Sequence, residues 1–304
     1  MKSDLPKVLH EICGRPMLVY AVEACRLAGA DRLLAVVGHG KSQVMQRFEK
    51  EDDITWVEQP EQKGTGHAVL CCRGALRGFS GHVLVVAGDM PLVRRETLAA
   101  LLESREQSGD ALTLATTILE DPLGYGRILR DEQGKLAGIV EERDCSDEQR
   151  LIHEVNPSYY CFDAERLWPA LERIRPNSPK GEYYVTDTVT ALRSVGHSVS
   201  AVNCVPSEDA VGINSRLDLA MVSRLMQDRI QLAFMNEGVT IVDPDNTWID
   251  SDVSIGQDTI VYPFSFIAAG ARIGQGCRIG PFTRVPATAI VPDGTTLDGG
   301  ACKP

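Results

Sequence analysis

From Ile249 onward every sixth residue is aliphatic: Ile249, Ile255, Val261, Ile267, Ile273, Ile279, Val285, Val291 and Leu297. Four places after each stands a small or modest residue: Val253, Thr259, Ser265, Ala271, Cys277, Thr283, Ala289, Thr295 and Ala301. Gly, Asp, Ala or Pro fills most positions just after the aliphatic one, as at Gly256, Gly274 and Pro292, with Tyr262 an exception. A helix repeats every ~3.6 residues and a plain strand every ~2, so neither explains this pattern. A parallel β-helix does. Each hexad is one short strand whose aliphatic residue points inward, and the residues after it turn a corner. Three hexads close one triangular coil, so this run predicts three coils within 237–304.

Residues 1–214 read differently. Apolar strand-like runs, Leu33–Val37 and Val83–Ala87, alternate with helix-like spacing over Gly66–Leu76 and Arg95–Glu106. The continuous run at Val83–Ala87 predicts a strand buried on both faces. The alternation predicts an α/β, Rossmann-like domain with a mainly parallel sheet, whose ligands bind at the carboxyl ends of strands. Apolar residues from Leu217 to Phe234 predict a linker helix over 215–236.

The formal net charge is −11, which disfavours nonspecific nucleic-acid binding. No apolar run is long enough to span a bilayer, and the N-terminal residues lack a secretory h-region. The nine cysteines are odd in number and contain no C-x-x-C pair, which argues against a disulfide framework or structural zinc and for a reducing, cytoplasmic setting.

Several short motifs could carry chemistry. Gly88 and Asp89 follow the apolar run, where a carboxylate can hold a hard cation; a turn aspartate before Pro91 is an equally open reading. Gln62-Lys63-Gly64-Thr65-Gly66-His67 places two glycines before a predicted helix, where backbone can approach a base or phosphate. Lys7, the Gly124-Tyr125-Gly126-Arg127 run, Glu141 with Glu142, Asn156, and Gly181-Glu182-Tyr183-Tyr184-Val185-Thr186-Asp187 each also admit a purely structural reading. No Ser-His-Asp or Cys-His arrangement is apparent in the sequence.

Taken in order, SDLPKVLH, EQPEQKGTGHA, GDMPL, DPLGYGRI, GIVEERD, EVN, GEYYVTD and GIN, followed by the helix and hexads, closely resemble the bacterial N-acetylglucosamine-1-phosphate uridylyltransferases. The hexads resemble those of left-handed β-helix proteins. The resemblance covers nearly the whole chain. It implies transfer of UMP from UTP to N-acetylglucosamine 1-phosphate, with Mg²⁺ as cofactor. It further implies that Lys7 contacts phosphates, that Gln59, Gly64 and Thr65 read the uracil, and that Asp89, preceded by Gly88, holds Mg²⁺ with Asn214. Gly126, Glu141 and Asn156 would bind the amino sugar, and Thr186 would help position its phosphate. A homotrimer through the β-helix is a further expectation; nucleic-acid and membrane partners are not expected.

Three departures qualify these expectations. The family opens with a strand and a Gly-rich loop ahead of the segment matching SDLPKVLH, so the resemblance implies a start upstream of Met1 and little activity without that loop. Ala87 stands where an aromatic is common, and Asn156-Pro157-Ser158 replaces Asn-Thr-Gly. The β-helix of the family also carries acetyltransferase activity, at a site built by later coils; only three coils are predicted here, so the resemblance implies no acetyl transfer. Another hexose-1-phosphate nucleotidyltransferase and a catalytically dead scaffold remain as alternatives.

Overall fold

The computed structural model describes residues 1–176 and 181–301. Cys302 and the side chain of Ala301 lie outside the described part. The chain forms two compact units: Lys2–Val8 with Tyr20–Gly212, and Met1 with Leu9–Val19 and Ile213–Pro304.

In the first unit the elements are β1 (Leu33–Val37), α1 (Lys41–Arg47), β2 (Ile54–Glu58), α2 (Thr65–Cys71), β3 (His82–Val86), α3 (Arg95–Ser108) and β4 (Leu112–Ile118). They continue with β5 (Gly126–Arg130), β6 (Leu136–Val140), β7 (Glu154–Asn156), β8 (Tyr159–Asp163), α4 (Ala164–Arg173), α5 (Asp187–Ser194) and β9 (Val199–Asn203). The expected helix at Gly66–Leu76 ends early, at Cys71. The one expected from Arg95 runs to Ser108, where Gly109 at φ 67° caps it.

The pairing is mixed. β1 and β2 are parallel, as are β4 and β9. β8 lies antiparallel between β3 and β4, so those two strands share one direction. The hairpin β5–β6 and the short β7 add antiparallel pairs beyond β4.

β4 is the best-buried strand because it is flanked on both sides. Its alternation serves two cores. Leu112 and Leu114 pack with Tyr160, Phe162, Leu167 and Val189 on the α4–α5 side. Ala115 joins Tyr159, Cys161, Leu98 and Leu101 on the α3 side. Each such large apolar side chain contributes about 1.5–3 kcal/mol on burial. The sheet is therefore the middle of three layers.

β3 departs from expectation. All five of its residues are only half-buried, not buried on both faces. Among the described residues it pairs with β8 alone, and β1 pairs with β2 alone. A strand with one open edge keeps backbone groups and side-chain flanks near solvent.

In the second unit, α6 (Arg216–Asn236) begins at a capping box between Ser215 and Asp218. The β-helix follows with the expected register: Ile249 pairs with Ile267 and Ile267 with Val285 in one wall, Ile255 with Ile273 and Ile273 with Val291 in the next, and Val261 with Ile279 and Ile279 with Leu297 in the third. The aliphatic positions from Ile249 to Val291 are all buried. One strand precedes the hexads read from sequence. Thr240–Ile241 pairs with Ile260–Val261, and a 3₁₀ turn at Pro244–Asn246 lies between this strand and the first hexad. The offset there is 20 residues (261 − 241) instead of 18 (267 − 249), which hides the strand from a strict period.

Two glutamines of α6 finish the first coil. Gln227 and Gln231 are fully buried. The Gln227 side-chain amide pairs with both backbone groups of Ile249, and Gln231 donates to the Thr247 carbonyl at 2.8 Å. Buried amides of this kind satisfy strand groups that would otherwise cost about 1–3 kcal/mol each.

Candidate active site

The sequence-predicted residues Gly88, Asp89, Gly126, Glu141 and Asn156 lie at, or just beyond, the ends of strands of the seven-stranded sheet of the first unit. β3 runs into Ala87-Gly88-Asp89, and Val86 stands opposite Tyr159 at the start of β8. Asn156, at the end of β7, lies three residues before Tyr159. Gly126, the first residue of β5, is the register partner of Asn156.

Asp89 holds a cation already. Lys7 Nζ lies 2.6 Å from its Oδ2, with both side chains about one-third exposed (35% and 31%). An exposed carboxylate that accepts an ammonium suits a hard metal ion too. Among the described residues no group of three or more His, Cys, Asp or Glu forms a metal cage.

The Gln59 backbone N–H donates to the Val37 carbonyl at 2.8 Å, which continues the β1–β2 ladder. Its side-chain amide donates to the Gly64 carbonyl at 3.0 Å and lies 3.1 Å from His67 Nδ1. Gln59 also lines a groove with Gly38, Lys41, Glu58 and Gln62. Gly64 has φ 93° and ψ 178°, a conformation open essentially to glycine. A Cβ there would stand 2.5 Å from the Tyr183 carbonyl oxygen.

The GEYYVTD segment ties this part to the next. The Tyr183 N–H donates to the Lys63 carbonyl at 2.8 Å, and the Gly66 N–H donates to the Tyr183 carbonyl at 2.9 Å. The Val185 N–H donates to Thr65 Oγ1 at 3.0 Å. One residue on, buried Thr186 donates its hydroxyl to Glu141 Oε1 at 2.9 Å. Burial pushes the Glu141 carboxyl above the usual range, partly offset by the Thr186 bond. Gly126 lies against this carboxylate: a Cβ on it would sit 3.7 Å from Glu141 Oε2.

Asn156 is buried and donates to the Tyr160 hydroxyl at 2.6 Å. Its Oδ1 accepts the Ser158 N–H at 3.0 Å. Ser158 adopts φ 66°, so serine occupies a left-handed position that glycine takes more readily. Asn156-Pro157-Ser158 therefore makes a turn whose third position would also accept the glycine of Asn-Thr-Gly.

Gln59, Gly64, Thr65, Thr186, Glu141, Gly126 and Asn156 thus form one linked line, and Lys7, Gly88 and Asp89 belong to the same unit. Asn214 belongs to the other unit, just ahead of α6, where its N–H donates to Asp218 Oδ2 at 2.8 Å.

Sequence reading did not foresee several supporting contacts. Arg127, Glu142 and Arg143 stood within the motifs read from sequence but were given no role there; Arg127 and Glu142 are paired at 2.7 Å, one residue beyond Gly126 and Glu141, and Arg143 lies over the Tyr184 ring. Opposite charges one residue beyond two predicted site positions were the available signal.

Residues 1–178 match the model of the MobA-like NTP transferase domain, and 252–287 match the bacterial transferase hexapeptide, six repeats. The chain is 41% identical to the bifunctional protein GlmU of Caldanaerobacter subterraneus subsp. tengcongensis over 95% of its own length and 63% of the relative's. It is 44% identical to that of Geobacter sulfurreducens, over 92% and 59% of the two lengths. The chain therefore spans about three-fifths of the length of these curated relatives. Among solved structures, UDP-glucose pyrophosphorylase complexed with UDP-glucose aligns with a TM-score of 0.58 at 17% identity, covering 74% of this chain and 91% of that one. That likeness speaks to fold alone. With the sheet, the site at its strand ends and a domain match over more than half its length, the chain belongs to the MobA-like NTP transferase family and carries bacterial transferase hexapeptide repeats behind that domain.

Proposed function

We propose that this protein transfers UMP from UTP to N-acetylglucosamine 1-phosphate, giving UDP-N-acetylglucosamine and pyrophosphate for cell-envelope precursors such as those of peptidoglycan and lipopolysaccharide. The observation that carries the reading is the hydrogen-bonded line through GEYYVTD. It joins a glycine-lined nucleotide side at Gly64 and Thr65 to a polar, buried sugar side at Glu141, Gly126 and Asn156.

In this reading Gln59 and the backbone at Gly64 and Thr65 take the uracil edge. Asn156, the Gly126 backbone and Glu141 take hydroxyl and amide groups of the sugar, and Thr186 orients Glu141. The sugar-phosphate oxygen attacks the α-phosphorus in line, and pyrophosphate leaves. No protein nucleophile is required, so rate comes from positioning and charge neutralisation. Asp89 and Asn214 would hold Mg²⁺, which supplies charge neutralisation at the phosphates. Lys7, now on Asp89, is the chain's own cation for the same phosphates.

No described helix is long and apolar enough to cross a membrane. A cytoplasmic enzyme that trimerises through its β-helix suits this reading. The test is calorimetric titration of the chain with UDP-N-acetylglucosamine, UDP-glucose and thymidine-diphosphate glucose, paired with pyrophosphate release from UTP and N-acetylglucosamine 1-phosphate in Mg²⁺. Tightest binding of UDP-N-acetylglucosamine, weakened at least about tenfold in Glu141→Ala, is expected. Equal affinity for all three ligands would overturn the assignment.

A further inference from the structure

Arg127 and Glu142 each stand one residue beyond a proposed sugar-binding position, Gly126 and Glu141. The Arg127 side chain is 2% exposed, and its Nη2 lies 2.7 Å from Glu142 Oε2. Its other terminal nitrogen donates to the Tyr125 carbonyl. Glu142 Oε2 also accepts the Gly124 N–H at 3.0 Å. The Tyr125 hydroxyl donates to the Ala210 carbonyl at 2.8 Å. The turn before β5 and the segment after β6 are thus cross-linked by one charged pair. The Gly124 N–H and Arg127 hold the Glu142 carboxyl below the usual range, as an accepting, ionised group requires.

Stability alone does not account for this pair. Burying a guanidinium is expensive, and apolar residues of matching volume often hold such a site as well or better. Apolar residues would, however, leave the Gly124 N–H and the Tyr125 carbonyl without these side-chain partners. The turn would then be free to shift against Glu141, whose carboxylate lies within van der Waals range of the point where a Cβ on Gly126 would stand.

Resting on the sugar-subsite reading above, we infer that Arg127 and Glu142 are positioning residues. They fix the separation between the Gly126 backbone and the Glu141 carboxylate, and so set how much the sugar adds to sugar-nucleotide binding.

The experiment measures calorimetric affinities for UDP and UDP-N-acetylglucosamine, with melting temperatures, in the wild-type chain, in Arg127→Lys and in the double variant Arg127→Met/Glu142→Met. The ratio of the two affinities isolates the sugar. UDP affinity should stay within about twofold in every chain, because the nucleotide side is untouched. The ratio should fall about tenfold in the double variant and about threefold in Arg127→Lys, since ångström-scale misplacement costs that much or more. Unchanged ratios in both variants would reduce the pair to scaffolding and overturn the inference while leaving the sugar subsite standing. If the double variant does not fold, the Arg127→Lys ratio decides alone. A wild-type chain that binds UDP and UDP-N-acetylglucosamine equally would remove the subsite itself, and this inference with it.

Discussion

Replacing Gly64 by alanine strikes the point where the nucleotide side meets the GEYYVTD segment. Two costs add. At φ 93° and ψ 178° a side chain is strained by about 1–3 kcal/mol. The new Cβ would also lie 2.5 Å from the Tyr183 carbonyl oxygen and 3.0 Å from its nitrogen, both backbone atoms that cannot rotate aside. Relief requires Tyr183 to move, which stretches the Gly66–Tyr183 bond, worth about 1 kcal/mol. The sum is about 2–4 kcal/mol. At roughly 2–4 °C per kcal/mol for a domain of this size, Gly64→Ala should lower the melting temperature by roughly 5–15 °C. Moving Tyr183 also draws the Val185 N–H from Thr65 Oγ1, so UDP affinity should fall about tenfold. Gly196→Ala is the control: it has φ 82° but nothing within 4 Å of the added carbon, so it bears the backbone strain without the collision. Scanning fluorimetry and calorimetry with UDP read both quantities. If Gly64→Ala and Gly196→Ala melt alike and both keep wild-type UDP affinity, the close approach to Tyr183 has no energetic consequence and the reasoning fails.

Lys7→Gln should tighten binding of Mn²⁺ alone about threefold by electron paramagnetic resonance, since it removes the ammonium competing for a part-exposed carboxylate; Asp89→Asn should abolish that binding, and an unaltered Lys7→Gln isotherm would contradict the competition. The Glu141 carboxyl is raised by burial, so its stabilising contribution is complete below the ordinary carboxylate range and is lost as pH rises through its raised value. Glu141→Gln should therefore melt higher than wild type at neutral pH, with the gap closing as pH falls toward about 4 in a melting series; a gap that is constant with pH would exclude the burial effect. Ile267→Ala, in the fully buried middle coil, should cost about 2–5 kcal/mol in denaturant unfolding of the β-helix, and a loss below about 1 kcal/mol would mean that the coil repacks.

The β-helix was readable because its information is local. Each hexad repeats the same inward aliphatic residue, and the register of Ile249, Ile267 and Val285 follows from counting. The strand at Thr240–Ile241 escaped for the same reason, since two added residues before the first hexad break the count. Val83–Ala87 read correctly as a strand, but its exposure did not. An apolar run reports what a strand is suited to, whereas burial depends on which neighbours pair with it, and β3 has one among the described residues.

The site shows the opposite balance. Gly126, Glu141 and Asn156 are separated by 15 residues each (141 − 126 and 156 − 141), and no local period relates them. What brings them together is the antiparallel register of β5 with β7 and with β6, a long-range property that only the resemblance to a family carried into the sequence reading. The same holds for Thr186: it is the N-cap residue of α5, and its hydroxyl also reaches Glu141, a contact that no local pattern announces. GEYYVTD has no usable periodicity because successive residues face different tasks: Tyr183 offers backbone to Lys63 and Gly66, Val185 offers its N–H to Thr65, and Thr186 offers its hydroxyl to Glu141. A segment whose neighbouring residues serve neighbouring subsites leaves no pattern in its own sequence. It also gives a physical reason for shifts at Gly64 to be felt at Glu141. Thr65, next to Gly64, holds the Val185 N–H, and Thr186 holds Glu141, so a displacement beside Gly64 has only the Val185–Thr186 peptide in which to dissipate before it reaches the carboxylate.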